Sequence, residues 1–262
     1  MDVSRRAMLA AGVAATGSIG VGPAEAATRR GRGFQGSTTV IPIVGEAAAF
    51  GVRRIYCAGL NYRAHAEEMG VRIPTPPPPP FFFQKPTDAV DVAPFGSALR
   101  HPYPPKTADY HFEVELVVAL RRGGRDLDAG AAAQSIFGYA VGLDMTRRDV
   151  QRALMEHRLP WEAAKAFDRS AVISPLTPAD DSRLEKGAIG LSVDGQMRQA
   201  GDLSDMIWKP VDLIVALSQY YELFAGDLIY TGTPAGVGPV KPGETMKAMI
   251  EGVGEIEVVV TA

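Results

Sequence analysis

The amino-acid sequence predicts a fold of the α+β class, a mixed and curled β-structure with helices on its outside. Strand patterns outnumber helical patterns along the chain. The two kinds of segment do not alternate regularly, which disfavours the doubly wound and barrel arrangements of parallel strands. Hydrophobic residues make up 46% of the 262 residues and charged residues 22%, so the chain has enough apolar side chains for a sizeable core.

Individual elements follow from short apolar runs for strands and from amphipathic periodicity for helices. A buried strand is predicted at residues 55–58 and a short helix at residues 61–69. Further strands are predicted at residues 111–120, 136–143, 189–193, 227–231, 245–250 and 255–260, and further helices at residues 128–135, 146–157 and 210–222.

A proline run interrupts these elements between residues 74 and 80. Proline lacks the backbone N–H that helices and central strands require, so the run belongs to neither. It is interpreted as a stiff spacer, as one arm of a mobile lid, or as a ligand for a partner's aromatic groove. The three phenylalanines that follow, Phe81, Phe82 and Phe83, are predicted to return the chain to the core.

Charge and composition exclude several classes of protein. The net charge is −3 and there is no basic patch of note, which disfavours nucleic-acid binding. A single cysteine, Cys57, rules out an intramolecular disulfide. Only four histidines are present, so a site of oxygen ligands for Mg²⁺ or Mn²⁺ is easier to build than a histidine-rich zinc site.

The first 26 residues are predicted to be a signal peptide of the twin-arginine type. Arg5 and Arg6 precede a mildly apolar stretch rich in alanine and glycine, and Ala24-Glu25-Ala26 supplies a cleavage site. This order of features predicts a periplasmic or exported protein. The alternative is an alanine-rich leader on a cytoplasmic protein. Residues 27–52 are predicted to form an irregular N-terminal arm, and residues 53–262 the catalytic domain.

Two carboxylates lie two residues apart on the predicted strand at 111–120. Because side chains alternate between the faces of a strand, Glu113 and Glu115 point the same way. Asp144 follows the next predicted strand, and a third carboxylate would complete a set of hard oxygen ligands for a divalent cation. The alternative is a solvated strand face with glutamates on the outside.

Six blocks of the sequence, in order and spacing, resemble the fumarylacetoacetate hydrolase family over residues 53–260. They are residues 59–62 (Gly-Leu-Asn-Tyr) with His65 and Glu68, residues 83–86 (Phe-Gln-Lys-Pro), Glu113 with Glu115, residues 142–151 (Gly-Leu-Asp-Met-Thr-Arg-Arg-Asp-Val-Gln), Trp161 with residues 165–168 (Lys-Ala-Phe-Asp), and residues 226–227 (Gly-Asp) with residues 232–238 (Gly-Thr-Pro-Ala-Gly-Val-Gly). The sequence of the fourth block, together with His111 before the glutamate pair, most resembles the fumarylpyruvate and acylpyruvate hydrolase branch.

The resemblance implies a mixed β-sandwich roll with peripheral helices, a homodimer, and Mg²⁺ or Mn²⁺ held by Glu113, Glu115 and Asp144. It also implies that Lys165 lies near the metal, although an ordinary surface lysine is the alternative. His65 and Glu68 are spaced i, i+3 and so share a helix face. The resemblance implies that they form a catalytic dyad. The alternative, from the residues alone, is a surface histidine with a chance glutamate neighbour.

Substrate contacts are predicted partly from the resemblance and partly from residue type. Gln151 occupies a position that contacts substrate, and Thr233 lies in a tight turn that could face a carboxylate, unless residues 232–238 only close a hairpin. Lys85, Arg148 and Arg63 are the candidates for binding a distal carboxylate.

The activity implied is hydrolysis of a carbon–carbon bond in a ketonic substrate. The expected substrate is a 3-acylpyruvate such as fumarylpyruvate, a type of intermediate in aromatic catabolism. Its hydrolysis would give pyruvate and a carboxylic acid through a metal-bound enolate. The alternatives are decarboxylation of oxaloacetate or another 2-oxo acid at the same metal, and a non-catalytic protein that binds oxo acids. In each case the expected partner is a small molecule, not a nucleic acid or a membrane.

Overall fold

The computed structural model describes residues 39–179 and 184–262. The predicted signal peptide and residues 27–38 of the predicted arm lie outside the described residues. Within them, none of the helices combines the length and apolar character that a membrane crossing needs.

The strands and helices are short and follow one another in an irregular order. The strands are β1 (Val40–Pro42), β2 (Ala49–Gly51), β3 (Arg54–Gly59), β4 (Phe81–Lys85), β5 (Val90–Val92), β6 (Ala98–Pro102), β7 (Tyr110–Phe112), β8 (Val114–Leu120), β9 (Ile136–Asp144), β10 (Thr146–Arg147), β11 (Ala171–Ile173), β12 (Thr177–Pro178), β13 (Ala188–Val193), β14 (Gln196–Asp202), β15 (Asp227–Tyr230), β16 (Gly238–Pro239), β17 (Thr245–Ile250) and β18 (Gly254–Thr261). The helices are α1 (Arg63–Glu68), α2 (Ala129–Ser135), α3 (Arg148–Glu156), α4 (Glu162–Lys165) and α5 (Pro210–Tyr220), with 3₁₀ turns at Thr87–Ala89 and Leu203–Asp205.

Most strands belong to two mixed sheets. The larger has the order β4-β3-β15-β8-β9-β11-β5, with β12 also paired to β9, and the other has the order β14-β13-β17-β18-β6. Three strand pairs are parallel, namely β15 with β3, β11 with β5 and β18 with β6, whereas the others in these sheets are antiparallel. This arrangement confirms the α+β class and the mixed β-structure that the sequence predicts.

The core between the two sheets is built from one face of each. On β8, Val114, Leu116 and Val118 point into this core. They meet apolar residues of the five-stranded sheet such as Leu191 and Val258. Strand β8 is buried on both faces, so its other face must pack against a second core.

That second core lies inside the curl of the larger sheet. Val117 and Ala119 of β8 point into it together with Ile55 of β3 and Ile173 of β11. The hydroxyl of Tyr230 on β15 donates a hydrogen bond of 3.0 Å to the carbonyl of Val172 on β11. In a flat sheet these strands would lie about 14 Å apart, three strand spacings, which is beyond the reach of a tyrosine, so the sheet curls strongly around this core.

The curl requires a glycine at position 142, in the middle of β9. A Cβ atom there would lie 2.4 Å from Cγ2 of Val117 and 2.7 Å from Cε1 of Tyr230. We expect Gly142→Ala to lower the free energy of unfolding by about 1–3 kcal/mol, because an overpacked core must shift to accept the methyl group. Urea unfolding measures this, and Gly51→Ala, where a Cβ meets nothing within 4 Å, is the matched control. Equal stability of the two variants would contradict the close approach.

Most predicted elements are confirmed, with ends shifted by at most two residues. The predicted strand at 111–120 is the main exception, because it is broken at Glu113 into β7 and β8, which belong to different sheets. The predicted helix at 146–157 starts only at Arg148, because β10 first pairs with β7. The strands β4, β5, β6, β11 and β14 were not predicted individually.

Two expectations about irregular segments were wrong. Residues 40–51 of the predicted arm form the β1–β2 pair, because Ile41 and Phe50 have apolar side chains that complete the second core. Phe81 does not enter the core: it lies on β4 at the edge of the larger sheet and is 41% exposed. Phe82 and Phe83 are half-buried.

Candidate active site

Three buried carboxylates meet at one end of the second core. Glu113 lies in the break between β7 and β8, Glu115 lies on β8, and Asp144 ends β9. Pairing of β8 with β9 places Glu115 opposite Gly142, and the Asp144 N–H donates a 2.9 Å hydrogen bond to the carbonyl of Glu113. One oxygen from each of the three carboxylates lies within 4.8 Å of the other two. All three are almost fully buried, so the alternative of a solvated strand face is wrong.

Cationic side chains from three different elements surround this triad. Nζ of Lys165, at the end of α4, lies 2.7 Å from both Glu113 and Asp144. Nζ of Lys85, at the end of β4, lies 2.8 Å from Oδ1 of Asp144. Arg148, the first residue of α3, forms an ion pair with Glu113. The two lysines and the arginine therefore offset much of the charge that burial would otherwise make unfavourable.

These contacts lower the pKa of Glu113 and raise the pKa of Lys165. Burial by itself raises the pKa of Glu113, but Lys165 and Arg148 outweigh it and hold that pKa well below its usual range. Burial by itself lowers the pKa of Lys165, and the charges of Asp144 and Glu113 outweigh it, so that pKa is raised. Glu113 and Lys165 thus form a stable charged pair at neutral pH.

Glu115 is in a different position, because it has no salt bridge among the described residues. It accepts a hydrogen bond of 2.7 Å from the backbone N–H of Gly232. Gly232 has a φ of +97°, and a Cβ there would lie 2.7 Å from Cβ of Asn61, so glycine lets this N–H approach the carboxylate. Burial and then repulsion from Asp144 and Glu113 raise the pKa of Glu115 well above its usual range.

The triad fits a hard divalent cation. Its donors are all carboxylate oxygens, the type that Mg²⁺ and Mn²⁺ prefer. Oδ1 of Asp144 is buried and accepts no well-aligned hydrogen bond from residues 39–179 or 184–262, although the Lys85 ammonium lies 2.8 Å away. A cation would also remove the repulsion that Glu115 experiences. Glu113, Glu115 and Asp144 could therefore hold a divalent metal.

His65 and Glu68 form a pair within α1. Nδ1 of the buried His65 lies 3.1 Å from Oε2 of Glu68. The second carboxylate oxygen, Oε1, accepts a hydrogen bond of 3.0 Å from the backbone N–H of Gly236. Because Nδ1 is engaged, Nε2 is the ring nitrogen that remains for proton transfer, and it has no hydrogen-bond partner among the described residues. His65 is only 5% exposed, so it is not the surface histidine of the alternative interpretation.

One cavity brings most of the predicted site residues together. Its lining includes the triad together with His65, Lys165, Arg148, Gln151 and Thr233. Gln151 accepts a 2.5 Å hydrogen bond from Nη1 of Arg148.

Three of the predicted residues do not line this cavity, namely Glu68, which contacts His65 from an adjoining cavity, Lys85 and Arg63. Lys85 is buried behind the triad, where its Nζ also donates to the carbonyls of Met145 and Lys165. Arg63 instead donates to the carbonyl of Ile73 at the surface. Neither residue is among those that line the cavity.

Gln199 is a site residue that sequence reasoning missed. Its side chain is fully buried on β14. Nε2 donates to Oγ1 of Thr233 at 2.7 Å, and Oε1 accepts from the N–H of Val114 at 2.9 Å. Gln199 therefore fastens the loop after β15 to the strand that carries Glu115. Gln199 is one of several polar residues on β14, so the sequence gives no signal that singles it out.

Comparison with known proteins identifies relatives over nearly the whole described chain. Residues 54–261 match the family model described as fumarylacetoacetate hydrolase, C-terminal. A fumarylpyruvate hydrolase from a Ralstonia species is 43% identical over 158 residues, which cover 60% of this chain and 82% of that protein. A mitochondrial oxaloacetate decarboxylase from Dictyostelium discoideum is 41% identical over 201 residues, which cover 76% of this chain and 89% of that protein.

A solved structure extends this similarity to three dimensions. The crystal structure of fumarylpyruvate hydrolase from Pseudomonas aeruginosa, in complex with Mn²⁺ and pyruvate, superposes with a TM-score of 0.84. The two chains are 47% identical, and the match covers 87% of this chain and 97% of the other. The likeness confirms the type of β-sandwich roll that the sequence predicts.

Proposed function

The chain belongs to the fumarylacetoacetate hydrolase family of carbon–carbon bond hydrolases, and from that membership we propose that it hydrolyses a 3-acylpyruvate to pyruvate and a carboxylic acid. Fumarylpyruvate, the substrate in the names of two relatives, belongs to this class. The observation that carries the proposal is that His65, held at Nδ1 by Glu68, lines the same cavity as the carboxylate triad. The cavity thus contains a histidine that can take a proton from water, together with carboxylates that can bind a metal.

We assign the metal site to Glu113, Glu115 and Asp144, with Mg²⁺ or Mn²⁺ as the ion. When bound, a divalent cation there would act as a Lewis acid toward the 1-carboxylate and 2-keto oxygens of the substrate. Lys165 contributes a fixed positive charge next to the same oxygens. Thr233 lines the same cavity, and its hydroxyl, which accepts from Gln199, can donate to the substrate carboxylate.

His65 is the general base in this proposal. Its Nε2 takes a proton from water as the oxygen attacks C4 of the diketo acid, and Glu68 holds the ring by its contact with Nδ1. Arg148 and Gln151 line the cavity and offer donors to the oxyanion that forms at C4.

The C3–C4 bond then breaks and leaves its electron pair on the pyruvate fragment as an enolate. Lys165 stabilises that negative charge, and the proton held by His65 is available to complete pyruvate. The acyl fragment departs as a carboxylic acid, and the atoms of water are divided between the two products.

Decarboxylation of oxaloacetate is the second candidate function. It is favoured by the 41% identity to the Dictyostelium decarboxylase. It would use the same triad and Lys165, because loss of CO₂ also leaves pyruvate enolate, which a proton then converts to pyruvate. It needs no activated water, so the buried His65–Glu68 pair would have no task in it. The same pair argues against a protein that only binds oxo acids.

A substrate panel tests the proposed function. The protein from residue 27 onward is assayed with Mn²⁺ or Mg²⁺ on several acylpyruvates and on oxaloacetate, following loss of diketone absorbance and release of pyruvate. We expect metal-dependent hydrolysis of acylpyruvates to exceed oxaloacetate decarboxylation in kcat/KM. Turnover of oxaloacetate alone would replace the proposal with the second candidate.

The segment that carries the dyad is predicted to act as a lid. Residues 62–80 join β3 to β4 and contain α1 and the proline run. We expect amide hydrogen exchange in residues 62–73 to slow when oxalate and Mg²⁺ are added, because oxalate resembles the pyruvate enolate and closure excludes water. Exchange in β8 serves as the internal control and should not change. Identical exchange in residues 62–73 with and without oxalate would count against a lid.

Export is a separate proposal, supported by the first 26 residues of the sequence. We expect Arg5→Lys together with Arg6→Lys to retain the precursor in the cytoplasm, because the twin-arginine route reads the arginine pair as an address. Cell fractionation and N-terminal sequencing test this, and the parent should appear in the periplasm with a start near Ala27. Uncleaved parent protein in the cytoplasm of the native cell would contradict export.

A further inference from the structure

Two permanently cationic side chains line the cavity, and both are paired with other groups at its metal end. They are Arg148 and Lys165. Lys165 contacts Glu113 and Asp144, and Arg148 contacts Glu113, Gln151 and His111. Arg72 follows Val71 of the lining but does not itself line the cavity, and Arg152 lines an adjoining cavity that shares Met69, Arg148 and Met155 with it. Arg152 pairs instead with Asp109, its Nη2 lying 2.5 Å from Oδ2.

An apolar wall extends outward from Lys165. Nζ of Lys165 lies 5.2 Å from the centroid of the Phe83 ring. The Trp161 ring packs edge-on against Phe83 with centroids 6.0 Å apart, and against Phe81 with centroids 5.9 Å apart. The rings thus form a continuous surface from the triad to the edge of the larger sheet, where β4 lies.

The outer part of this wall is exposed. Phe81 is 41% exposed, Met155 is 42% exposed and Val71 is 36% exposed, and all three line the cavity. Exposed large hydrophobic side chains that gather around one cavity mark a binding surface for an apolar group. The surface is continuous with the catalytic cavity, so the group that covers it during the reaction is part of the substrate.

We propose that the acyl group of the substrate is apolar, best of all aromatic, and does not carry a second carboxylate. This inference rests on the proposed acylpyruvate hydrolysis and specifies its substrate. With the pyruvate end held at the triad, the acyl group lies along Phe83, Trp161 and Phe81. A phenyl ring would stack on these faces and be removed from water. A distal carboxylate at the same place would lose water without gaining a cationic partner.

Comparing three substrates tests the inference. They are benzoylpyruvate, fumarylpyruvate and, as a small reference, acetylpyruvate, assayed with Mn²⁺ on the protein from residue 27 onward. We expect kcat/KM for benzoylpyruvate to exceed that for fumarylpyruvate at least tenfold, the discrimination typical of a hydrophobic pocket. Equal values, or a preference for fumarylpyruvate, would overturn this inference and leave the proposed function intact. Inactivity on all three would overturn the proposed function and this inference with it.

An arginine substituted at the mouth of the cavity gives a second test of where the acyl group binds. Met155→Arg puts a guanidinium beside the apolar wall, whereas Leu159→Arg puts it on a residue that is 51% exposed and outside the cavity lining. We expect Met155→Arg to shift the ratio of kcat/KM toward fumarylpyruvate about tenfold or more relative to Leu159→Arg. Thermal unfolding of both variants checks that the fold is kept. The same ratio in the two variants would show that the acyl group does not lie along this wall.

Discussion

Replacing His65 with alanine should lower kcat for acylpyruvate hydrolysis about a hundredfold or more, the loss expected for a positioned general base. His65 lines the cavity, its Nε2 has no hydrogen-bond partner among the described residues, and its Nδ1 lies 3.1 Å from Oε2 of Glu68. Oxaloacetate decarboxylation by the same variant should fall much less, because no water is activated in that reaction. The ratio of the two activities therefore reports the base separately from the metal site.

Two further variants complete this experiment. His157→Ala removes an exposed histidine that does not line the cavity, and it should hydrolyse acylpyruvates at the parent rate. Glu68→Gln keeps the shape of the positioning residue and removes its charge, so kcat should fall less than in His65→Ala while KM stays near the parent value. Parent-level hydrolysis by His65→Ala would show that another group activates the water.

Neutralising the carboxylate triad should abolish both metal binding and activity. Each alanine substitution at Glu113, Glu115 or Asp144 removes an anionic ligand from a site with no thiolate to replace it. Glu115→Gln is the most informative variant, because Glu115 has no salt bridge in the described chain and the amide can still accept from Gly232. Removing its charge relieves repulsion from Asp144 and Glu113. We therefore expect the metal-free variant to be at least as stable as the parent.

Calorimetry and thermal unfolding with and without Mn²⁺ measure this prediction. At 100 times its dissociation constant, Mn²⁺ should stabilise the parent by about 2.7 kcal/mol, and Glu115→Gln should show no such gain. Glu257→Gln, which alters a carboxylate on β18 paired with Lys247 at 3.0 Å, controls for a general loss of negative charge. Unchanged Mn²⁺ affinity in Glu115→Gln, with the Glu113 and Asp144 variants in agreement, would refute the assigned ligands.

The sequence predicts the carboxylates of the candidate metal site better than it predicts the backbone and side chains that position them. Glu113, Glu115 and Asp144 could be grouped because the alternation of a strand and the order of the motifs constrain them. The break at Glu113 could not be foreseen, because an apolar run gives no sign of passing from one sheet to another. Gln199 likewise acts through contacts with residues 34 and 85 positions away, which no local pattern encodes.

The roles predicted for basic residues show the same limit. Lys85 and Arg63 were candidates for a distal carboxylate because they are basic and near the motifs in sequence. In the structure Lys85 is buried in an ion pair with Asp144, and Arg63 caps a surface carbonyl. Which charge a lysine or arginine meets is decided by tertiary packing, so residue type and position alone leave the assignment open.

The proposed base and the proposed metal site lie in different parts of the fold. The triad is anchored in β8, β9 and the residue between β7 and β8, deep in a closely packed sheet, where most substitutions threaten the fold. His65 and Glu68 both lie in α1, a helix of six residues outside every sheet. Descendants of one ancestral gene could therefore exchange one reaction for another by altering this short helix, while the shared enolate chemistry is inherited unchanged. Such a division offers a simple route by which hydrolases and decarboxylases diverge on a common scaffold.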